Sequence, residues 1–213
     1  MSVKIQRPKL PPALLEGGLP STFTEAEYYQ GHNVTDEDYM YQTAERLHFD
    51  QLIFSRVSFE NVTFPQIEIT DVIFDKCNFS NADFSDAVIH RAEFKQSKLT
   101  GANFSGAALR HVTFDDCMGN MAAFGFSNQR HVQFSMCSLR QADFYESAFK
   151  KVDFKECQLD SSNFAETSLD GIDFTTCEFD NITISFDKLA GCIVTSEQAI
   201  GFSKAFGIVI NDE

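Results

Sequence analysis

The chain of 213 residues has no tryptophan, and four of its five prolines (Pro8, Pro11, Pro12, Pro20) fall before residue 21. Basic residues are scarce: 17 Lys and Arg stand against 31 Asp and Glu, a formal charge of −14. A deficit of that sign disfavours nucleic acid and anionic membranes as direct partners and suits a basic protein. No run approaches the ~18–20 apolar residues that span a bilayer. The N-terminus, MSVKIQRPKLPPALLEGG, lacks a continuous apolar core and is broken by prolines, so it does not read as a signal peptide. The six cysteines show no CxxC spacing. There is no glycine-rich phosphate loop, and the aspartates do not follow the GGxGxD spacing of calcium-binding β-rolls. These absences point to a soluble, cytoplasmic chain with no cofactor, metal or catalytic constellation.

What is abundant is phenylalanine, 23 residues in all, within a 43% hydrophobic composition that excludes wholesale disorder. Phe recurs every five residues. Stepping by five from Phe49 to Val194 samples 30 positions, of which 18 are Phe, 6 Leu, 3 Ile and one Val; only Gly119 and Gln129 break the rule. Two residues before each centre lies a second column of small or β-branched residues, with Asp187 its sole charged member, and all six cysteines fall there. Two inward positions per five residues suit neither an amphipathic helix nor an alternating strand. They suit a solenoid of square section, with one pentapeptide per side and four per coil. The 20-residue superperiod agrees: Phe54, Phe74, Phe94, Phe114, Phe134, Phe154 and Phe174 form one column. At ~4.8 Å per coil, 7.5 coils make a rod ~36 Å long.

The units CNFSN, ADFSD, ANFSG, ADFYE and SNFAE resemble the pentapeptide-repeat pattern. The resemblance implies an all-β solenoid, a right-handed quadrilateral β-helix, over residues 47–194. Residues 1–46 are expected to be an N-terminal arm and cap, part of which covers the open first coil; the extreme terminus is left either mobile or docked on the rod. Residues 195–213, TSEQAIGFSKAFGIVINDE, are expected to form a short α-helix, with Thr195 and Gln198 as a capping box and Gly207 beyond its end. A repeat rod with such an ending is similar to the quinolone-resistance (Qnr-type) pentapeptide proteins, and the absence of projecting loops resembles their chromosomally encoded members. In that group the C-terminal module joins two rods end to end, and the dimer imitates duplex DNA to occupy DNA gyrase and topoisomerase IV. Carried over, the resemblance implies a homodimer through Ile200, Phe202, Phe206, Ile208 and Ile210.

Charge is consistent with that implication. Residues 49–194 carry 21 acids and 12 Lys or Arg, a net of −9. From Asp153 to Asp187 there are nine acids and one base, Lys155, a net of −8. Confined to under two coils, this exceeds the one charge per ~1.7 Å of duplex DNA. Asp153, Glu156, Asp160, Glu166, Asp170, Asp173, Glu178 and Asp180 are therefore the candidate partner-binding surface. The alternative is an acidic scaffold for a different basic protein. Three further features have plain structural readings. The cysteines are displaced one coil at a time instead of converging on a metal, and read as small buried hydrophobes. His90–Arg91, Arg110–His111, Arg130–His131 and Lys150–Lys151 form a basic stripe, read as a solvated face. Gly119 and Gln129 predict a local distortion over 117–130, refilled by Met118, Met121 or Phe126.

Overall fold

The computed structural model describes residues 4–209. Each pentapeptide supplies one straight side and one corner. Every fifth residue from Ala26 to Gly171 adopts a left-handed backbone, with φ between +48° and +76°. No β-branched residue or proline occupies these positions, as their sterics require. The sides form β1 (Leu15–Glu16), β2 (Tyr28–Gln30), β3 (His32–Thr35), β4 (His48–Asp50) and β5 (Ile53–Ser55). Five eight-residue strands follow: β6 (Glu68–Asp75), β7 (Val88–Lys95), β8 (Ala108–Asp115), β9 (Asn128–Ser135) and β10 (Ala148–Lys155). Each of these bends over a left-handed corner: Asp71, Arg91, His111, His131 and Lys151. β11 (Ser162–Phe164), β12 (Ile182–Ile184) and the helix α1 (Ser196–Ala205) complete the chain.

From β2 to β10 the ladder is parallel with a register of 20 residues: Phe54 pairs with Phe74, Phe74 with Phe94, and so on to Phe154. The result is a parallel β-solenoid of about 8 turns with one short C-terminal helix, the quadrilateral β-helix that the resemblance implies. Inside, the phenylalanines stack along the axis. Phe134 lies 4.8 Å from Phe114 and 5.0 Å from Phe154, with rings within 6° of parallel. A second column, Phe104, Phe124, Phe144 and Phe164, stacks at 4.8–5.2 Å. The columns meet edge-on, as between Phe124 and Phe134 at 5.5 Å and 80°. Stacking along the axis and edge contacts across it satisfy the ring quadrupoles in both directions.

The coils begin upstream of the phenylalanine grid, which corrects the boundary at residue 47. Tyr28↔His48, Asn33↔Ile53 and Asp38↔Ser58 are already in register. Tyr29, Val34, Tyr39 and Ala44 fill the central positions in place of Phe, and all are buried. Phe23 plugs the open end, packing against Tyr29, Tyr39, Phe49 and Phe64. The arm proper is the segment before that plug.

The expected distortion over 117–130 is absent. Met118 pairs in register with Ser138, and β8 with β9. At Gly119 the space is taken by Leu139, whose Cδ2 would lie 2.9 Å from an added Cβ. Met118, Met121 and Phe126 refill nothing and point outward, 47%, 55% and 61% exposed. Gln129 keeps its place in the core, fully buried, with Nε2 donating to Ser127 Oγ at 3.0 Å and Oε1 unpartnered.

The cysteines are free and, Cys192 apart, buried. Cys77, Cys117 and Cys137 each donate from Sγ to the carbonyl of a Phe 23 residues upstream at 3.4 Å. Burial pushes the Cys77 thiol up to about 12, so it is not a ready thiolate.

Candidate functional site at the acidic end of the rod

Pentapeptide geometry sorts surface side chains by side and coil, and so decides where the acids go. Asp153 and Asp173 share one side, one coil apart. Asp160 and Asp180 share the next, together with Glu178. Glu156 and Glu166 are corner residues, and Asp170 lies on the side centred on Leu169. The eight candidates thus ring the last coils instead of forming one stripe.

They are not electrostatically equivalent. Asp153 is held by Lys155 at 3.2 Å and is only 16% exposed. Asp160 accepts the Asp180 amide at 2.6 Å, which ties two coils together. Asp173 accepts from the Thr175 hydroxyl and amide at 2.6 and 2.9 Å, and these bonds hold its carboxyl below the usual range. Glu166 accepts from Ser185 Oγ at 3.0 Å and lies 4.0 Å from Lys188. Among the described residues, Glu156, Asp170, Glu178 and Asp180 have no ion-pair partner, and all four are exposed. Lys188 lies one residue beyond the acid-rich segment 153–187, and the fold brings it back across one coil.

The regular corners stop at Gly171. Asp187 escapes the inward column because Phe186–Lys188 form a short 3-10 turn, which lifts its side chain into solvent. Helix α1 then closes the rod. Thr195 and Gln198 cap it reciprocally: the Thr195 amide donates to Gln198 Oε1 at 2.9 Å, and the Gln198 amide to Thr195 Oγ1 at 3.2 Å. Gln198 also donates from Nε2 to the Phe174 and Cys177 carbonyls at 2.9 Å each, pinning the helix to the last full coil.

The five expected dimer residues divide. Phe202 is 7% exposed and stacks on Phe179 at 5.6 Å, so it seals this chain's own core and is not part of a free apolar face. Ile200, Phe206 and Ile208 are exposed at 42%, 37% and 56%, alongside Val209 at 92%. Phe206 meets exposed Phe186 edge-on at 5.5 Å. Ile210 lies outside the described residues. A cleft of ≈ 580 Å³ between α1 and the last coil is lined by Glu178, Asp180, Glu197 and Ile200 among others, so the acidic and apolar features are contiguous.

The sequence reading missed how the basic stripe is used. Arg91 binds Asp71 bidentately at 2.5 and 2.6 Å, and His111 is buried beneath the N-terminal arm. The available signal was the 20-residue column of long polar corner residues, Gln51, Asp71, Arg91, His111 and His131, facing an arm without any repeat.

A parallel β-solenoid of stacked pentapeptides with an exposed acidic end is a repeat scaffold, and no helix among the described residues is long and apolar enough to cross a membrane. The chain matches the family described as "Pentapeptide repeat region" over residues 47–124, 67–143 and 127–195, and it belongs to that family. No curated protein matches. Among solved structures it is similar to trypsin-treated QnrB1, a plasmid-mediated fluoroquinolone resistance protein, at 17% identity and TM-score 0.46, covering 93% of this chain and 99% of that one. It is also similar to HetL, a pentapeptide repeat protein involved in heterocyst differentiation regulation from the cyanobacterium Nostoc sp. strain PCC 7120. There the identity is 12% and the TM-score 0.38, covering 79% and 85%.

Proposed function

We propose that the protein is a non-enzymatic, homodimeric DNA mimic that binds DNA gyrase, and topoisomerase IV by the same surface, where duplex DNA would lie. It thereby inhibits or protects the enzyme and lowers fluoroquinolone susceptibility. The observation that carries this reading is one juxtaposition. The most acidic coils of the rod abut an exposed apolar terminus formed by Ile200, Phe206, Ile208 and Val209. Pairing two rods through that terminus would bury the apolar patch and place both acidic rings beside the two-fold axis. A symmetric enzyme receives DNA across its own two-fold, so the axes can coincide. Binding rests on charge complementarity and weakens with salt.

The test compares two quadruple variants in a gyrase supercoiling assay at low and high salt. One neutralises four exposed end acids: Glu156→Gln, Asp170→Asn, Glu178→Gln and Asp180→Asn. The control neutralises exposed acids elsewhere: Glu37→Gln, Glu45→Gln, Asp86→Asn and Asp116→Asn. Each removes four charges. The end variant is expected to lose inhibition, and the control to retain most of it. Equal losses would mean that only net charge matters. No inhibition by the unmodified protein, or none that added duplex DNA relieves, would leave the acidic-scaffold reading in its place.

A further inference from the structure

Residues 4–9 of the N-terminal arm run along the rod axis, across the strands, and belong to no strand; the arm's backbone joins the ladder only further on, at β1. Residues 4–9 are held by side chains of the corner column. The His131 ring donates from Nδ1 to the Lys4 carbonyl at 3.2 Å. The Gln6 amide donates to His111 Nδ1 at 3.3 Å. The Lys9 amide donates to Asp71 Oδ1 at 2.8 Å, and Gln51 Nε2 donates to the Lys9 carbonyl at 3.3 Å. From His131 to Asp71 is three coils, ~14 Å. Five residue steps from Lys4 to Lys9 cover ~16 Å in an extended polyproline-like chain, so the arm matches the column's pitch.

The bond directions fix the ring states. His131 donates to a carbonyl and needs its Nδ1 proton. His111 accepts from an amide and must be bare at Nδ1. Protonation leaves the first bond intact and abolishes the second. It would also place a cation in unfavourable company. The His111 and His131 rings stack at 4.6 Å, and His90 lies at 6.1 Å. Arg110 is its neighbour on β8, Arg91 comes from β7 and Arg130 from β9, while the arm contributes Lys4, Arg7 and Lys9. The acids nearby are Asp71 on β6, already bound to Arg91, and Glu93 and Asp115, which line a cleft under Ile5 and Arg7 on the adjoining side.

We propose that residues 4–9 are a strap seated on the polar corner column Gln51–Asp71–Arg91–His111–His131, and that proton uptake by His111 releases it. Burial first, then His131 and His90, hold the His111 ring below its ordinary value of 6.5. A ring whose seated-state value is depressed favours the seated strap above about pH 6.5, and that preference is lost as pH falls. Between the two values the open fraction rises about tenfold per pH unit, because only the open form takes the proton freely.

The experiment is hydrogen exchange of the full-length protein, read as protection factors for the Gln6 and Lys9 amides between pH 8 and 5 and corrected for intrinsic rates. Protection is expected to fall below pH 6.5, while β6–β10 stay protected. His111→Asn is the decisive variant. Asn tolerates the left-handed corner, and its Oδ1 replaces Nδ1 as an acceptor that takes no proton. In it the strap is expected to stay protected throughout. His111→Lys, a permanent cation, is expected to lose protection at every pH. The proposal is overturned if wild-type protection does not change with pH, if His111→Asn titrates as wild type does, or if the core strands lose protection together with the arm.

Discussion

Phe134→Ala tests the physical basis of the rod most directly. Phe134 is fully buried, stacked on Phe114 at 4.8 Å and Phe154 at 5.0 Å, and edge-on to Phe124 at 5.5 Å and Phe144 at 5.7 Å. Removing the ring forfeits about 1.5–3 kcal/mol of burial. It also loses aromatic contacts worth about 0.5–1.5 kcal/mol per pair. The coils above and below are held at ladder spacing by backbone bonds on every side, so the hole cannot close, and the cavity term applies in full. The expected loss lies in the upper part of the ~3–5 kcal/mol range for Phe→Ala in a core. Phe126→Ala is the control, because that ring is 61% exposed and off the inward grid. Guanidinium unfolding followed by far-UV circular dichroism gives both midpoints. A Phe134→Ala loss below about 1 kcal/mol, or one no larger than that of Phe126→Ala, would refute the claim that stacked rings hold the coils together.

Two further outcomes follow from other sites. Gln129→Leu, which removes an unpartnered buried oxygen from a column otherwise filled by Ile89, Leu109 and Phe149, is expected to stabilise by about 1–2 kcal/mol in the same unfolding assay; a loss would mean that the amide is satisfied in solution. Ile200→Asp combined with Ile208→Asp is expected to give a monomer in sedimentation velocity with unchanged strand content, since neither side chain is buried in the rod; a persistent dimer would place the contact elsewhere.

The fold was legible in the sequence because a solenoid turns tertiary structure into period. An uninterrupted five-residue spacing dictates four sides, a 20-residue register and stacked inward columns, and the corner positions exclude β-branched residues for reasons local to the backbone. The capping box of Thr195 and Gln198 was local in the same sense. Spacing places a side chain on a side and a coil but does not say what it binds. Only the tertiary structure showed that Lys155 and the Asp180 amide engage two of the candidate acids, that Phe202 turns inward to seal the last coil, and that Leu139 fills the space beside Gly119. The first coil escaped the reading because Tyr29, Val34, Tyr39 and Ala44 bury enough volume without matching the Phe pattern. The strap was the least legible feature, since its bonds join residues up to 127 apart and run from an unrepeated backbone to side chains. A contact of that kind has no period, and its pairing arises only when the folded rod brings the corner column alongside the arm.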